Sequence, residues 1–133
     1  MAKSSNADPF SSVPGIIERI ESTGEILGDR ASQLSNIIAA IASRLDATSG
    51  KVEARAHRDG ITVAFERRKR WGLWLIEDDY DEQEPHDLTT VSIAQKAQAF
   101  PVLLILLQRI AEQQVTELAE VSSALSLLTS EGK

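Results

Sequence analysis

The fold is decided by residues 104–128, LILLQRIAEQQVTELAEVSSALSLL. Alternating spacings of three and four residues separate eight positions in this stretch: Leu104, Leu107, Ala111, Gln114, Leu118, Val121, Leu125 and Leu128. This spacing is the heptad pattern of a helix whose apolar side packs against other helices, as in a coiled coil. The stretch therefore predicts a long C-terminal helix and association of the chain with itself or with a partner.

Signals upstream of the heptads predict where this helical region starts. Ser92 and Gln95 have the spacing of a capping box, in which each side chain binds the backbone amide of the other residue. Phe100 precedes Pro101 and is therefore biased away from helical dihedral angles. We expect helical structure over residues 89–130, with either a kink or the start of a second helix at the proline.

A second long helix is predicted near the N-terminus, over residues 12–46. Ser12 suits the N-cap and Pro14 suits the first turn. Apolar residues then keep one helical phase: Ile16, Ile20, Leu27, Ala31, Leu34, Ile38, Ile41 and Leu45. Gly24 and Gly28 each weaken a helix by about 1 kcal/mol relative to alanine, so a break there is the alternative. The unbroken apolar phase favours one long or kinked helix.

Between these helices the pattern changes to strict alternation. Two alternating runs flank the dipeptide Asp59-Gly60: Val52, Ala54 and Ala56 come before it, and Ile61, Val63 and Phe65 come after it. A two-residue turn of this composition between such runs predicts a β-hairpin. The hairpin sets Ala56 opposite Val63 and places the apolar residues on one face. By the same register, Ala54 lies opposite Phe65.

A third strand follows the hairpin, because residues 73–76 are apolar at every position. The fold class predicted is therefore α+β: a long N-terminal helix, a three-stranded antiparallel β-meander over residues 51–77, and a long kinked C-terminal helix. We interpret residues 12–130 as a single domain, after a disordered lead over residues 1–11. An acidic loop over residues 78–88 joins the meander to the last helix.

The helices are too long for the sheet. Strands of this length span about 20 Å, whereas the helices reach about 40 to 50 Å. We expect both free ends to project to one side and run antiparallel, so that two chains pair in a dimeric four-helix bundle. The predicted interface consists of Ile16, Ile20, Val115, Leu118, Val121, Leu125 and Leu128. The alternative is a compact monomer in which the helices break and fold back. Gln114 fits either arrangement, as a residue that sets register or as a partly exposed glutamine.

A basic turn with flanking tryptophans is the candidate binding site. It contains Arg67, Arg68, Lys69, Arg70, Trp71 and Trp74. Arginine and lysine bind phosphates and tryptophan stacks on unpaired bases, which indicates a nucleic-acid site. Tryptophan and arginine are also enriched at the centres of protein interfaces, and the formal net charge of −6 opposes nucleic-acid binding by the whole chain. We therefore favour a protein partner held on the outer face of the meander.

The acidic loop has one metal-binding interpretation, which fails on detail. Asp79, Asp81 and Gln83 alternate as calcium ligands do in an EF-hand loop. The sixth and twelfth positions of such a loop require glycine and glutamate, whereas this chain has Glu84 and Thr90. No metal and no cofactor is expected.

Catalytic signatures do not assemble in the sequence. The chain has no cysteine, no zinc-ligand spacing of histidines and no nucleophile elbow, and we interpret His57 and His86 as surface residues. The longest apolar run, residues 102–107, is far below the roughly 20 residues of a membrane span. The N-terminus lacks the apolar core of a secretory signal. These features predict a cytoplasmic protein that is not an enzyme and not membrane-bound.

In size and acidity the chain is similar to the small dimeric chaperones that hold secretion effectors. The similarity covers composition only, because those proteins have further strands after a second helix and this sequence predicts none after Pro85. The function predicted is a non-catalytic protein-interaction or chaperone/adaptor-like module that self-associates through its helices. The alternative is a nucleic-acid-binding accessory protein that uses the basic turn.

Overall fold

A computed structural model describes residues 10–77 and 84–131. Within these residues the chain forms two helices and four strands, in the order α1 (Val13–Ala47), β1 (Ala54–Arg58), β2 (Ile61–Arg67), β3 (Trp71–Glu77), β4 (His86–Asp87) and α2 (Ile93–Glu131). The α+β class is thus confirmed. The chain divides into two compact units, Met1–Leu34 and Ser35–Lys133. Most of the predicted lead and of the acidic loop lies outside the described residues.

Helix α1 is continuous through both of its central glycines, as the unbroken apolar phase predicts. It begins after Ser12, whose carbonyl oxygen accepts a hydrogen bond from the Ile16 amide at 3.1 Å. Its last turn is closed by the Thr48 hydroxyl, which donates to the Arg44 carbonyl oxygen at 2.8 Å. Gly50 then turns the chain toward the sheet with a φ of 68°, a conformation that favours glycine.

The hairpin register is confirmed residue by residue. Ala56 pairs with Val63, and Ala54 pairs with Phe65. The turn residues Asp59 and Gly60 have φ values of 53° and 77°, as a two-residue turn of type I′ requires. Local turn chemistry therefore fixes the pairing of β1 with β2.

The third strand is also confirmed, and a fourth corrects the predicted meander. Strand β4 has only two residues and pairs Asp87 with Trp74 and His86 with Leu75. It lies in the segment predicted to be an acidic loop. The Leu88 amide, which donates to the Leu73 carbonyl oxygen at 3.0 Å, fastens the chain to β3 just after this strand. A strand this short has no alternation for sequence analysis to detect.

Helix α2 begins at Ile93, later than the predicted residue 89. The capping box is confirmed: the Gln95 amide donates to the Ser92 hydroxyl oxygen at 3.2 Å, and the Ser92 amide donates to the Gln95 side-chain oxygen at 3.1 Å. The helix continues through Pro101, and no second helix starts there. Among the described residues, no helix is both long enough and apolar enough to cross a membrane.

The core of Ser35–Lys133 lies between one face of the sheet and the helices. Its largest fully buried side chains are Phe65, Ile38, Leu73, Leu75, Leu88, Leu103, Leu106 and Val63. Strands β2 and β3 contribute four of these from the same face. The opposite face of the sheet carries Arg55, His57 and Glu66.

Within this unit the end of α1 and helix α2 follow the same direction. Near the end of β3, Gln95 donates to Glu77 at 3.0 Å and Lys96 donates to Ser35 at 3.1 Å. Toward the start of β3, Asp46 of α1 lines a cleft together with Trp71. Helix α2 reaches β1 near its start, where Arg109 donates to the Arg55 carbonyl oxygen at 3.5 Å. Residues 35–47 are therefore not antiparallel to α2.

Candidate functional site

Helix α2 uses two different lines of apolar residues along its length. Over the sheet the buried line is Ala99, Leu103, Leu106 and Ile110, at spacings of four, three and four residues. Leu104, the first member of the predicted heptad line, is 51% exposed beside it. The line that packs on the sheet therefore lies one position before the predicted heptad line in this part of the helix.

Beyond Ile110 the predicted line becomes an uncovered surface, which we call the α2 stripe. It consists of Val115, Leu118, Val121, Leu125 and Leu128, each between 56% and 68% exposed. Single exposed apolar residues are ordinary, but an exposed stripe that holds helical phase over four turns indicates a missing partner.

The unit Met1–Leu34 carries a second uncovered surface, the α1 stripe. It consists of Val13, Ile16, Ile17, Ile20 and Leu27, between 37% and 63% exposed. Its centre is a shallow groove lined by Ile16, Arg19, Ile20, Thr23, Gly24 and Leu27. Gly24 is one of these lining residues, and a Cβ atom added there would meet nothing within 4 Å in the described chain.

Gln114 marks the point where the α2 stripe begins. Its side-chain amide donates to the Gly50 carbonyl oxygen at 3.3 Å, so the half-buried glutamine has a partner in its own chain. Beside it, a cleft brings the buried Val52 next to Leu118 and Val121.

On the outer face of the sheet, Glu66 forms ion pairs with two cations. Arg55 donates to both carboxylate oxygens of Glu66, at 2.9 and 3.2 Å, and Arg68 lies 2.6 Å from the same group. The Glu66 side chain is only 12% exposed. Arg68, predicted to contact a partner, is thus engaged within the chain.

Arg70 is engaged as well. It forms an ion pair with Asp87 and places its guanidinium 5.2 Å from the centre of the Trp74 ring, a cation–π geometry. The Trp74 indole donates to the Glu66 carbonyl oxygen at 3.0 Å. A Cβ atom at Gly72 would lie 2.9 Å from the Arg70 guanidinium and 3.3 Å from the Trp74 ring. Glycine at this position is what lets the two side chains lie across the sheet.

The two tryptophans lie on opposite faces of β3, because they are three positions apart in the strand. Trp71 lies on the same face as Leu73, with its ring 5.2 Å from that of Phe65. The predicted outer surface containing both Trp71 and Trp74 is therefore wrong for Trp71. Of the predicted binding residues, Arg67 and Lys69 are exposed and have no ion pair with any described residue.

Asp87 binds both Thr89 and Arg70 on the outer face of the sheet. Its carboxylate accepts hydrogen bonds from the Thr89 amide at 2.9 Å and the Thr89 hydroxyl at 2.7 Å. Partial burial acts to raise the pKa of Asp87, but the hydrogen bonds from Thr89 and the charge of Arg70 outweigh it and lower the pKa below its ordinary value. The group is therefore an anion near neutral pH and holds Arg70 in place.

The described residues contain no group of three or more histidine and carboxylate side chains placed to hold a metal ion. Asp79, Asp81 and Gln83, the residues considered for calcium, lie outside the described residues. His57 is on the exposed face of β1, where its Nδ1 lies 2.8 Å from the Thr62 hydroxyl.

Sequence reasoning missed Glu66, Gly72 and Asp87, which organise the outer face. Glu66 could have been found, since it is a polar position of β2 close to Arg55 in the predicted register. Gly72 and Asp87 gave no local signal, because their roles depend on Arg70 and on the pairing of β4.

No family model, no curated protein and no solved structure matches this chain.

Proposed function

We propose that the protein is a non-catalytic interaction module, of the adaptor or chaperone-like kind, whose chains associate through their helices in a dimeric four-helix bundle. The observation that carries this proposal is the α2 stripe, an apolar line in helical phase that nothing in the described chain covers. The α1 stripe provides a second surface of the same kind.

The area of the two stripes suits a second copy of the chain. Burying one aliphatic side chain removes roughly 60 to 120 Å² from water. The ten stripe residues are between 37% and 68% exposed, so they hold roughly 500 Å² of apolar surface per chain. A stable interface buries about 800 Å² per partner, of which somewhat more than half is apolar. Both stripes together reach this area and neither does alone.

The charges beside the stripes predict how salt acts on the dimer. The end of α2 carries Glu112, Glu117 and Glu120 and no base after Arg109 within the described residues, and the whole chain has a net charge of −6. Pairing two acidic chains is opposed by repulsion, which salt screens. We expect the dissociation constant to fall several-fold between 50 and 500 mM salt, on the order of the screening of a few surface charges.

Light scattering across a dilution series tests the proposal. The variant Leu118→Asp with Leu125→Asp places two carboxylates in the α2 stripe. The matched control, Thr116→Asp with Ser123→Asp, adds the same charge at the same spacing on the opposite side of the helix. We expect the intact chain and the control to be dimers and the stripe variant to be a monomer.

A corresponding pair tests the α1 stripe: Ile20→Asp should dissociate the dimer and Ser22→Asp should not. An intact chain that remains a monomer at high protein concentration would refute the proposal. So would a dimer that tolerates both stripe variants.

The basic turn supports a second proposal, that Arg67 and Lys69 contact a further partner. An acidic protein surface suits these two cations, because both tryptophan rings already have intramolecular contacts and base stacking would have to displace them. Arg67→Glu with Lys69→Glu tests it. Loss of binding to single-stranded nucleic acid, with affinity that falls steeply as salt rises, would favour the nucleic-acid alternative.

A further inference from the structure

We infer that in the dimer the α2 stripe of each chain packs antiparallel on the N-terminal half of the partner's α1. The two helices pair in one register, which places Val121 in the groove at Gly24. This inference rests on the self-association proposed above and adds which helix faces which. It also assigns a role to a glycine that its own chain does not explain.

One line of residues on α1 and one on α2 match in spacing and in length. On α1 the line is Ala31, Leu27, Gly24, Ile20 and Ile17, at spacings of four, three, four and three residues. On α2 it is Gln114, Leu118, Val121, Leu125 and Leu128, with the same spacings. Antiparallel helices place such lines against each other layer by layer.

The ends of the two lines fix the register. Ala31 and Gln114 are the members of the two lines that are only partly exposed. Beyond Ala31, α1 enters the core of its own chain at Ile38, and beyond Gln114, α2 does so at Ile110. Aligning these ends sets Ala31 against the partner's Gln114 and gives four further layers: Leu27 with Leu118, Gly24 with Val121, Ile20 with Leu125, and Ile17 with Leu128.

Gly24 lies in the interior of α1, where glycine is less favourable than alanine. Because an added Cβ atom would meet nothing within 4 Å, packing within the described chain does not require glycine there. In the proposed register the partner's Val121 faces this glycine. Its β-branched side chain fills the groove that the glycine leaves between Ile20 and Leu27.

The charges beside the two lines also favour this register. In this register Arg30 flanks the layer that contains Ala31, on the same side as the partner's Glu117. A shift by one heptad in either direction moves that glutamate beside Thr23 or Ile37, which have no charge. Pairing α2 with a second α2 over residues 104–128 would instead set Glu117 against its own copy. Of the four arrangements compared, only the proposed register gives Glu117 a basic neighbour.

Disulfide cross-linking tests the register cleanly, because the chain has no cysteine of its own. A tagged Ile20→Cys chain is refolded together with an untagged Leu125→Cys chain and oxidised mildly. We expect a covalent heterodimer in high yield. Leu27→Cys with Leu118→Cys should behave in the same way.

The matched control pairs Ile20→Cys with Leu118→Cys. This moves the second cysteine by seven residues, roughly 10 Å along the helix, which is beyond the Cβ separation of about 4 Å that a disulfide allows. We expect little heterodimer. Each single variant alone should also cross-link poorly, and strong cross-linking of Leu125→Cys with itself would indicate α2 paired with α2 and overturn the inference.

Substitution of the glycine gives an independent readout. Gly24→Leu should weaken the dimer about tenfold or more, because the larger side chain overpacks the contact with the partner's Val121. Gly15→Leu, on the opposite side of α1 and also without a neighbour within 4 Å, should leave the dissociation constant nearly unchanged. Arg30→Glu should weaken the dimer several-fold, and adding Glu117→Arg should restore it.

The outcomes separate the two proposals. A chain that stays monomeric in light scattering refutes self-association itself. A stable dimer without the Ile20–Leu125 cross-link, or one that tolerates Gly24→Leu, leaves self-association intact and refutes this register.

Discussion

Asp87 gives the sharpest test of the outer face of the sheet. Its carboxylate accepts two hydrogen bonds from Thr89 and pairs with Arg70, which in turn lies over Trp74. We expect Asp87→Ala to remove this connection between β4, the β2–β3 turn and the indole ring. The fold should survive, since the apolar core does not include this residue.

The magnitude follows from the contacts. Hydrogen bonds to a charged group contribute about 1.5 to 3 kcal/mol when they are well buried. The Asp87 side chain is 21% exposed and that of Arg70 is 59% exposed, so the ion pair is screened and adds less than about 1 kcal/mol. We expect Asp87→Ala to lower the free energy of unfolding by about 2 kcal/mol.

Urea denaturation at fixed protein concentration measures this loss, with tryptophan fluorescence and circular dichroism as two probes. Asp46→Ala is the control, because Asp46 is an exposed carboxylate near the same cleft with no ion pair among the described residues. It should change the free energy of unfolding by less than about 0.5 kcal/mol. Equal losses for the two variants would refute the role assigned to Asp87.

The pH dependence provides a second check on the same residue. Since the pKa of Asp87 is lower in the folded chain, its ionised form stabilises the fold at pH values above the unfolded pKa of about 3.9. This stabilisation is lost as the pH falls through the lower folded value. The difference in unfolding free energy between the intact chain and Asp87→Asn should therefore be constant near neutrality and shrink below about pH 4. A difference that persists unchanged at pH 2.5 would contradict the assignment.

Two further substitutions test the sheet and the helix face. Gly72→Ala should cost about 1 kcal/mol, because the added methyl group pushes against the Trp74 ring and displaces Arg70; an unchanged or raised midpoint in urea would show that the neighbours yield freely. Leu106→Ala should cost about 3 kcal/mol because the side chain is fully buried, whereas Leu104→Ala should cost less than about 1 kcal/mol. Equal midpoints for these two variants would contradict the assigned core line of α2.

The hairpin was predictable because its information is local. Asp59 and Gly60 adopt the positive φ angles that their residue types tolerate, and the turn length then fixes every pair from Arg58–Ile61 to Ala54–Phe65. Strand β4 was not predictable for the opposite reason. It has two residues, and Asp87 is tied to Arg70 and Trp74, which are 17 and 13 positions earlier in the chain.

The basic turn shows a different limit of sequence analysis. Four consecutive cations indicate a binding site only if they are not already paired. Arg68 and Arg70 find carboxylates on β2 and β4, and a pattern of residue types cannot show this. The sequence does show that Arg67 and Lys69 lie at or next to a turn, and both side chains are exposed.

The face of α2 was ambiguous in the sequence because residues 103–107 are apolar on all sides of the helix. A heptad line also turns by about 20° per heptad around a straight helix. The heptad line starts one residue, about 100°, away from the buried line, and from Leu104 to Leu128 it turns by roughly 70° toward the sheet-facing side. The α2 stripe thus lies beside the sheet-facing side of the helix, past Ile110, and it is exposed among the described residues. Leu118 and Leu125 are 66% and 58% exposed, and neither belongs to the buried core of the unit Ser35–Lys133. The stripe variants should remain folded, and a change in their mass then reports association alone.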